Sequence, residues 1–316
     1  MTQLTTARQA RAPFSLERVS LHLDGSSYVE MKDPCPVHDG TRWHLFGTGV
    51  TGPHQFEVFH ATADELAGPW TLHDPVDVST LTGGCVAAPG VIAEGKRLHM
   101  FLQTEYNAFD GRIEHLVSDD GGATFAHART AMTSLPGTDE AGIYDPDPAE
   151  IDGEKYLVYS AFSVIGSPDV HLARSTSGTW DGPWERLGPA LRHEDVWCHN
   201  QRGIEAYEWG LEGAQLVGLP DGRVLLNAVC FLPGATAGTR QRVFFGVARD
   251  VLGPYEIVGP VLVPEGGHAT GENGHASVVV DGLDLHLMFQ ERTLDNPLWR
   301  VGLAAAPLEP SLEECA

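Results

Sequence analysis

The sequence predicts an all-β fold: a five-bladed β-propeller with four-stranded antiparallel blades. A hairpin phrase recurs five times along the chain, a second strand pair follows it, and no segment has the length and 3.6-residue period of a long helix. An all-β sandwich with coincidental turns is the alternative reading of the same strands. The chain of 316 residues is long enough to bury a sizeable core, and 36 glycines and 21 prolines supply frequent turns. The whole chain is expected to be one propeller domain. Residues 1–27 would form an N-terminal segment, and blades would start near residues 33, 88, 145, 212 and 275.

The first half of each unit is a short apolar strand, an Asp-Gly or similar turn, and a second strand. It reads "PCPVHDGTRWHLFGTG" (Pro34 to Gly49), "PGVIAEGKRLHMFLQ" (Pro89 to Gln103) and "PAEIDGEKYLVYSAF" (Pro148 to Phe162). "AQLVGLPDGRVLLNAVCF" (Ala214 to Phe231) and "ASVVVDGLDLHLMFQ" (Ala276 to Gln290) follow the same plan. The second half is another strand pair closed by a Gly-Pro-aromatic step, as in "VFHATADELAGPWTLHDPV", "VHLARSTSGTWDGPWERLGPAL" and "VFFGVARDVLGPYEIVGPVL". In the second unit it becomes "HLVSDDGGATFAHA", and in the fifth it shortens to "WRVGLAAAP". Trp43, Trp70 and Trp184 fall at repeat positions and are expected to pack between blades.

A formal net charge of −23 argues against nucleic acid and anionic membrane partners, both of which want a basic face, and disfavours a polyanionic substrate. The five cysteines are scattered, with no CxxC spacing, which suggests a reduced compartment and no structural zinc. The N-terminus lacks an apolar signal region, and no window approaches 18 continuous apolar residues. A cytoplasmic protein is expected.

The residues at the heads of the inner strands are Asp33, Ala88, Asp145, Glu212 and His275, separated by 55, 57, 67 and 63 residues. In a propeller these heads share the mouth of the axial channel, so residues distant in sequence meet there. Three carboxylates converging on one cleft cannot all ionise freely, because like charges raise the pKa of at least one. That suits a reaction needing one protonated and one ionised carboxyl, and glycoside hydrolysis is such a reaction. In "YDPDPAEIDG" either Asp145 or Asp147 fits the third acid. Asp145 is preferred because "DPDP" then aligns with "DPCP". Glu205 and Glu208 are rivals of Glu212 on the same rim, and Asp33 could instead be a turn-capping Asp before proline. His275 could equally be a core histidine, although His268, Glu272, His199 and Glu205 nearby in sequence could join it in a nitrogen-and-oxygen metal site.

At these residues the chain resembles glycoside hydrolase family 43, with some similarity to family 62, both families of five-bladed propeller enzymes. The resemblance runs from about Tyr28 to Pro307. "KDPCPVHDGTRWHLFGTG" is similar to the first-blade motif carrying the general base, which implies that role for Asp33. "DPDPAEIDGEKYLVYS" is similar to the third-blade motif whose Asp tunes the acid, implying Asp145, and "EGAQLVGLPDGRVLL" resembles the fourth-blade motif supplying the general acid, implying Glu212. The resemblance implies an inverting mechanism on neutral arabinofuranosides or xylosides, no required cofactor, and a structural calcium held through water near His275. His275, Trp197, Trp209, Arg202 and Glu205 are the candidate substrate-binding residues, the tryptophans as platforms for sugar rings. The chain departs from the family pattern at Cys35 and Pro36, at "EGAQ", and between Leu191 and Gly210. Two other classes therefore stay open. One is a glycoside phosphorylase or transferase, which would need a cluster such as Arg202, Arg240 and Arg242 at the cleft. The other is a non-catalytic sugar-binding propeller.

Overall fold

Strand formers punctuated by Asp-Gly and Gly-Pro turns resolve into twenty strands among the described residues. The structure is a computed structural model and describes residues 16–81, 86–105, 109–164, 166–196, 210–231 and 238–308. Strand β1 (Glu17–Val19) precedes the first blade, which contains β2 (Glu30–His38), β3 (Trp43–Gly52), β4 (Gln55–Ala63) and β5 (Thr71–Leu72). The second blade is β6 (Ala87–Glu94), β7 (Arg97–Thr104), β8 (Arg112–Ser118) and β9 (Ala126–Thr133). The third is β10 (Gly142–Ile151), β11 (Glu154–Phe162), β12 (Asp169–Ser175) and β13 (Trp184–Leu191). The fourth is β14 (Leu211–Gly218), β15 (Val224–Phe231), β16 (Gln241–Ala248) and β17 (Glu256–Val258). The fifth contains β18 (Gly271–Asp281), β19 (Asp284–Thr293) and β20 (Arg300–Pro307).

Four sheets are meanders in chain order, and the fifth is not: its order is β1-β20-β19-β18. The shortened fifth unit lacks a fourth strand of its own, and Glu17–Val19 supplies it by pairing with Leu303–Ala305. Part of the expected N-terminal segment is therefore the outer strand of the last blade. That pairing ties the two ends of the described chain together and closes the ring.

Apolar clusters bridge adjacent blades. Cys35 and Phe46 of the first blade pack with Val91, Met100 and Leu116 of the second. Trp70 of the first meets Met288 and Leu303 of the fifth, and Trp43 packs against the same cluster. Trp184 of the third blade packs beside Phe101 of the second. The three tryptophans at repeat positions thus sit between blades, as the repeat predicts. Cys35, the residue that departed from the family pattern, is part of this packing. It is 4 % exposed, and its sulfur accepts the Val91 N–H at 3.2 Å.

Each inner strand carries an irregularity at its head. Pairing skips residues between Lys32 and Cys35, Ala87 and Gly90, Tyr144 and Asp147, Glu212 and Gln215, and Gly274 and Ala276. The first skipped residue is left-handed in four of the five: Asp33 (φ 52°), Ala88 (48°), Asp145 (51°) and Gly213 (57°). This is the bulge geometry that bends a strand and re-aims a side chain. In the first three blades the next residue is proline: Pro34, Pro89 and Pro146. Proline is tolerated there because the bulge removes that residue from the ladder, so no strand hydrogen bond is lost. The recurring Asp-Pro step is this bulge. In register, the fourth head is Gly213, so Glu212 lies one residue upstream of the position that the repeat assigned to it.

In the first four blades the backbone N–H freed by the bulge is satisfied from the preceding blade. Asp33 N–H donates to Gln290 Oε1 (3.0 Å), Ala88 N–H to Thr48 Oγ1 (2.9 Å) and Asp145 N–H to Gln103 Oε1 (2.6 Å). Gly213 N–H donates to Asp145 Oδ2 at 3.2 Å. Left unpaired, such a buried donor would cost about 1–3 kcal/mol, so these contacts fix the relative placement of the heads.

Candidate active site

The bulges aim Asp33, Asp145 and His275 at one point on the axis, and Glu212 joins them from the strand end beside Gly213. The His275 ring is the centre of the group. Its Nδ1 lies 3.1 Å from Asp33 Oδ1 as an ion pair, and its Nε2–H donates to Asp145 Oδ2 at 2.9 Å. Glu212 Oε1 lies 3.9 Å from the same Nε2. Gln241 Nε2 donates to Glu212 Oε1 at 3.4 Å. Asp33, Asp145 and His275 are all buried, at 9 %, 6 % and 9 % exposure, so each charge here depends on its neighbours.

Those neighbours sort the groups into different protonation states. For His275, burial opposes the charged form, but Asp145 and Asp33, with a smaller push from Glu212, outweigh it and raise the pKa to about 10. Burial likewise pushes up the Asp33 carboxyl, but Lys32, His275 and a Thr48 hydrogen bond overcome it and hold that pKa below the ordinary carboxylate value. Glu212 goes the other way. Burial, then the negative charges of Asp145 and Asp33, push it up to about 8 against the pull of His275 and Lys32. At neutral pH the cavity therefore holds a protonated Glu212, an ionised Asp33 and an imidazolium.

Asp147, the rival for the third acid, is elsewhere. It lines the narrow axial cavity of about 30 Å³ beneath the cluster, and burial drives its carboxyl well above the ordinary range, toward the neutral form. Asp145 is the residue brought to the cluster. Of the other expected residues, Trp197, Arg202, Glu205 and Trp209 lie outside the described residues, as do His199 and Glu208. Arg242 does not face the cleft: it is 3 % exposed, and its guanidinium donates to the carbonyls of Gln241 (2.6 Å), Gly271 (3.2 Å) and His268 (2.7 Å). Glu272 is also structural, fully buried and accepting from the N–H groups of Gly238, Arg240 and Gln241.

A second cavity, of about 200 Å³, opens above the cluster and shares Asp33, Asp145, Glu212 and His275 as its floor. Its walls bring in Arg240, named above for the phosphorylase or transferase reading, and side chains that the sequence did not single out: Lys32, Phe56, Arg292 and Trp299. Lys32 immediately precedes Asp33 and Arg292 follows Gln290 by two residues, so their closeness to recognisable heads and second-strand ends was a usable signal. Nothing local marks Phe56 or Trp299.

Asp145, Glu212 and His275 offer ligand atoms within 4.8 Å of one another. Calcium takes oxygen ligands, so Asp145 and Glu212 would hold the ion implied near His275 directly, and the imidazole would reach it through water.

No protein-family model and no curated sequence matches the chain. Solved structures do match. The catalytic domain of a Coprinopsis cinerea GH62 α-L-arabinofuranosidase is 15% identical over 93% of this chain and 97% of its own, with a TM-score of 0.68. A thermostable family-43 glycoside hydrolase is 17% identical over 88% of this chain and 89% of its own, with a TM-score of 0.67. A Cellvibrio cellulosa α-L-arabinanase, solved with arabinohexaose, is 15% identical over 87% and 91%, with a TM-score of 0.61. The architecture of this chain is the five-bladed propeller of those proteins. At these identities the likeness is one of fold.

Proposed function

We propose that the protein is a glycoside hydrolase acting on arabinofuranoside- or xyloside-like linkages by inversion. The observation that carries this reading is the split protonation of two carboxyls over one cavity: Glu212 pushed up to about 8 and Asp33 held low. Glu212 is the general acid that protonates the leaving oxygen, and Asp33 is the base that takes a proton from the attacking water. Asp145 acts through others: it raises the Glu212 pKa and, with Asp33, fixes the His275 ring. The proteins of known activity with this architecture add independent support.

An inverting pair needs roughly 6.5–9.5 Å between its carboxyls to admit a water, and a retaining pair roughly 5–5.5 Å. Inversion is the outcome the proposal takes, and the product anomer decides it.

Aryl arabinofuranosides and xylosides test this. Glu212→Gln and Asp33→Asn are each expected to lower kcat/KM by about 10²–10⁴-fold. Full activity in both variants would remove the assignment. The first product anomer, read by proton NMR, is expected to have inverted configuration. Because the acid must carry its proton, the wild-type rate is expected to fall as pH rises through about 8. Turnover that requires inorganic phosphate would convert the reading to a phosphorylase.

A further inference from the structure

The walls of the cleft above the acids carry a charge that hydrolysis of a neutral glycoside does not need. Lys32, Arg240 and Arg292 all line it, each half-buried, from the first, fourth and fifth blades. The protein as a whole has a net charge of −23, so a convergence of three cations on one 200 Å³ cavity runs against its general character.

One of these cations is built into place. The Arg292 Nε–H donates to Glu272 Oε1 at 2.6 Å, and its guanidinium lies 4.2 Å from the centroid of the Trp299 ring. The same Glu272 accepts from the backbone N–H of Arg240 at 2.6 Å, which holds that residue's main chain at the cleft wall. A guanidinium stacked on an aromatic face with one edge held keeps its remaining donors in a fixed fork, the geometry that suits carboxylate and phosphate. Lys32 is placed differently, with its ammonium 5.8 Å from the centroid of the Phe56 ring. Its field lowers the pKa of Glu212, which works against an acid that must keep its proton. A role toward the substrate accounts for a lysine at that point, since an anion bound beside Asp33 and Asp145 would otherwise be repelled.

We infer that the cleft selects a glycoside bearing an anionic group, a carboxylate or a phosphate, held by Lys32, Arg240 and Arg292 over the Asp33–Glu212 pair. This rests on the glycosidase reading for its catalytic meaning, but the binding preference can be measured without turnover. It departs from the neutral substrate expected from the sequence.

Calorimetric titration of the full chain with single sugars is the test. D-Glucuronate supplies the carboxylate, arabinose 5-phosphate the sugar phosphate, and D-xylose and L-arabinose the neutral references, with inorganic phosphate as the anion alone. One of the anionic sugars is expected to bind at least tenfold more tightly than either neutral sugar, about 1.4 kcal/mol. Arg292→Gln and Lys32→Gln are each expected to reduce that preference several-fold, with thermal unfolding of each variant checking that the fold persists. The tighter of glucuronate and arabinose 5-phosphate identifies the group. The inference is overturned if neutral sugars bind as tightly, if neither anionic sugar binds, or if the preference survives both substitutions. Anion preference without hydrolysis of the matching aryl glycoside would overturn the glycosidase reading alone. Hydrolysis of neutral and anionic aryl glycosides at equal kcat/KM would overturn this inference alone.

Discussion

The molecule buries histidines both at its axis and within its blades, and treats the two in opposite ways. At the axis, His275 sits between Asp33 and Asp145 and is held as an imidazolium, its pKa raised to about 10. In the sheets of the first two blades, His60 and His115 are buried as deeply, at 4 % and 0 % exposure, yet stay neutral. Burial is the main cause there, helped by neighbouring histidines, and it lowers them to about 3 and about 4. The two blades repeat one device. His60 Nε2 faces His44 Nδ1 at 3.0 Å and stacks on Phe46, and His115 Nε2 faces His99 Nδ1 at 3.0 Å and stacks on Phe101. A neutral histidine neighbour and an aromatic face leave burial to decide the charge, whereas two touching carboxylates reverse it. The same side chain is a core-packing element in the blades and a fixed cation at the axis.

Removing the axial histidine is the strongest way to break this contrast. His275→Gln leaves Asp33 and Asp145 buried without their counter-ion, and loss of one partner of a buried charge pair costs about 3–5 kcal/mol. Urea unfolding of the variant is expected to show a loss of that size, together with loss of glycosidase activity. Undiminished stability would mean that the two carboxylates find their balance elsewhere. The pH dependence gives the sign. A group whose pKa rises on folding stabilises fully below its unfolded value, here about 6.5, and the benefit is lost as pH rises through about 10. Wild-type stability should therefore fall across that alkaline range, and the variant's should fall less.

The blade histidines give a smaller effect of opposite sign. His60→Leu leaves His44 Nδ1 without its partner, which costs about 1–2 kcal/mol near neutrality. Because the folded pKa of His60 is depressed, the unfolded chain takes up a proton first as pH falls from about 6.5, and wild-type stability is lost progressively toward about 3. The variant should lose less over that interval, so the two stability curves should converge or cross in acid. Parallel curves would show that His60 is already charged in the folded protein.

Much of this was legible in the sequence, for reasons the structure makes plain. Turn chemistry and strand composition located the hairpins, because an Asp-Gly or Gly-Pro step acts locally. The same repeat placed Asp33, Asp145 and His275 at heads, and the structure brings them together with Glu212 around one ring. Strand β1 was missed because three residues carry no periodic signal, and its partner is almost three hundred residues away in sequence. Thr48, Gln103 and Gln290 were missed as caps because their partners belong to the next blade, a relation created only by closure. Phe56, Arg292 and Trp299 reach the cleft from the second and third strands and from the loop before β20, where strand alternation does not say which residue faces a cavity.

The smallest effect concerns the second head, where the backbone is that of Asp33 and Asp145 but the side chain carries no chemistry. Ala88 holds φ 48° and donates its N–H to Thr48 Oγ1, as the other heads donate to theirs. A left-handed residue with a Cβ costs about 1–2 kcal/mol, and glycine relieves this while adding about 0.5–1 kcal/mol of unfolded-state entropy. At Asp33 and Asp145 the same strain comes with carboxylates that His275 binds, so glycine there would remove the charge network along with the strain. At Ala88 nothing of that kind is lost. Ala88→Gly is therefore expected to leave activity intact and to raise unfolding stability by up to about 1 kcal/mol, read from urea midpoints at unchanged slope. A clear destabilisation would mean that the Ala88 methyl, 6 % exposed against the axis, contributes more by packing than its backbone costs.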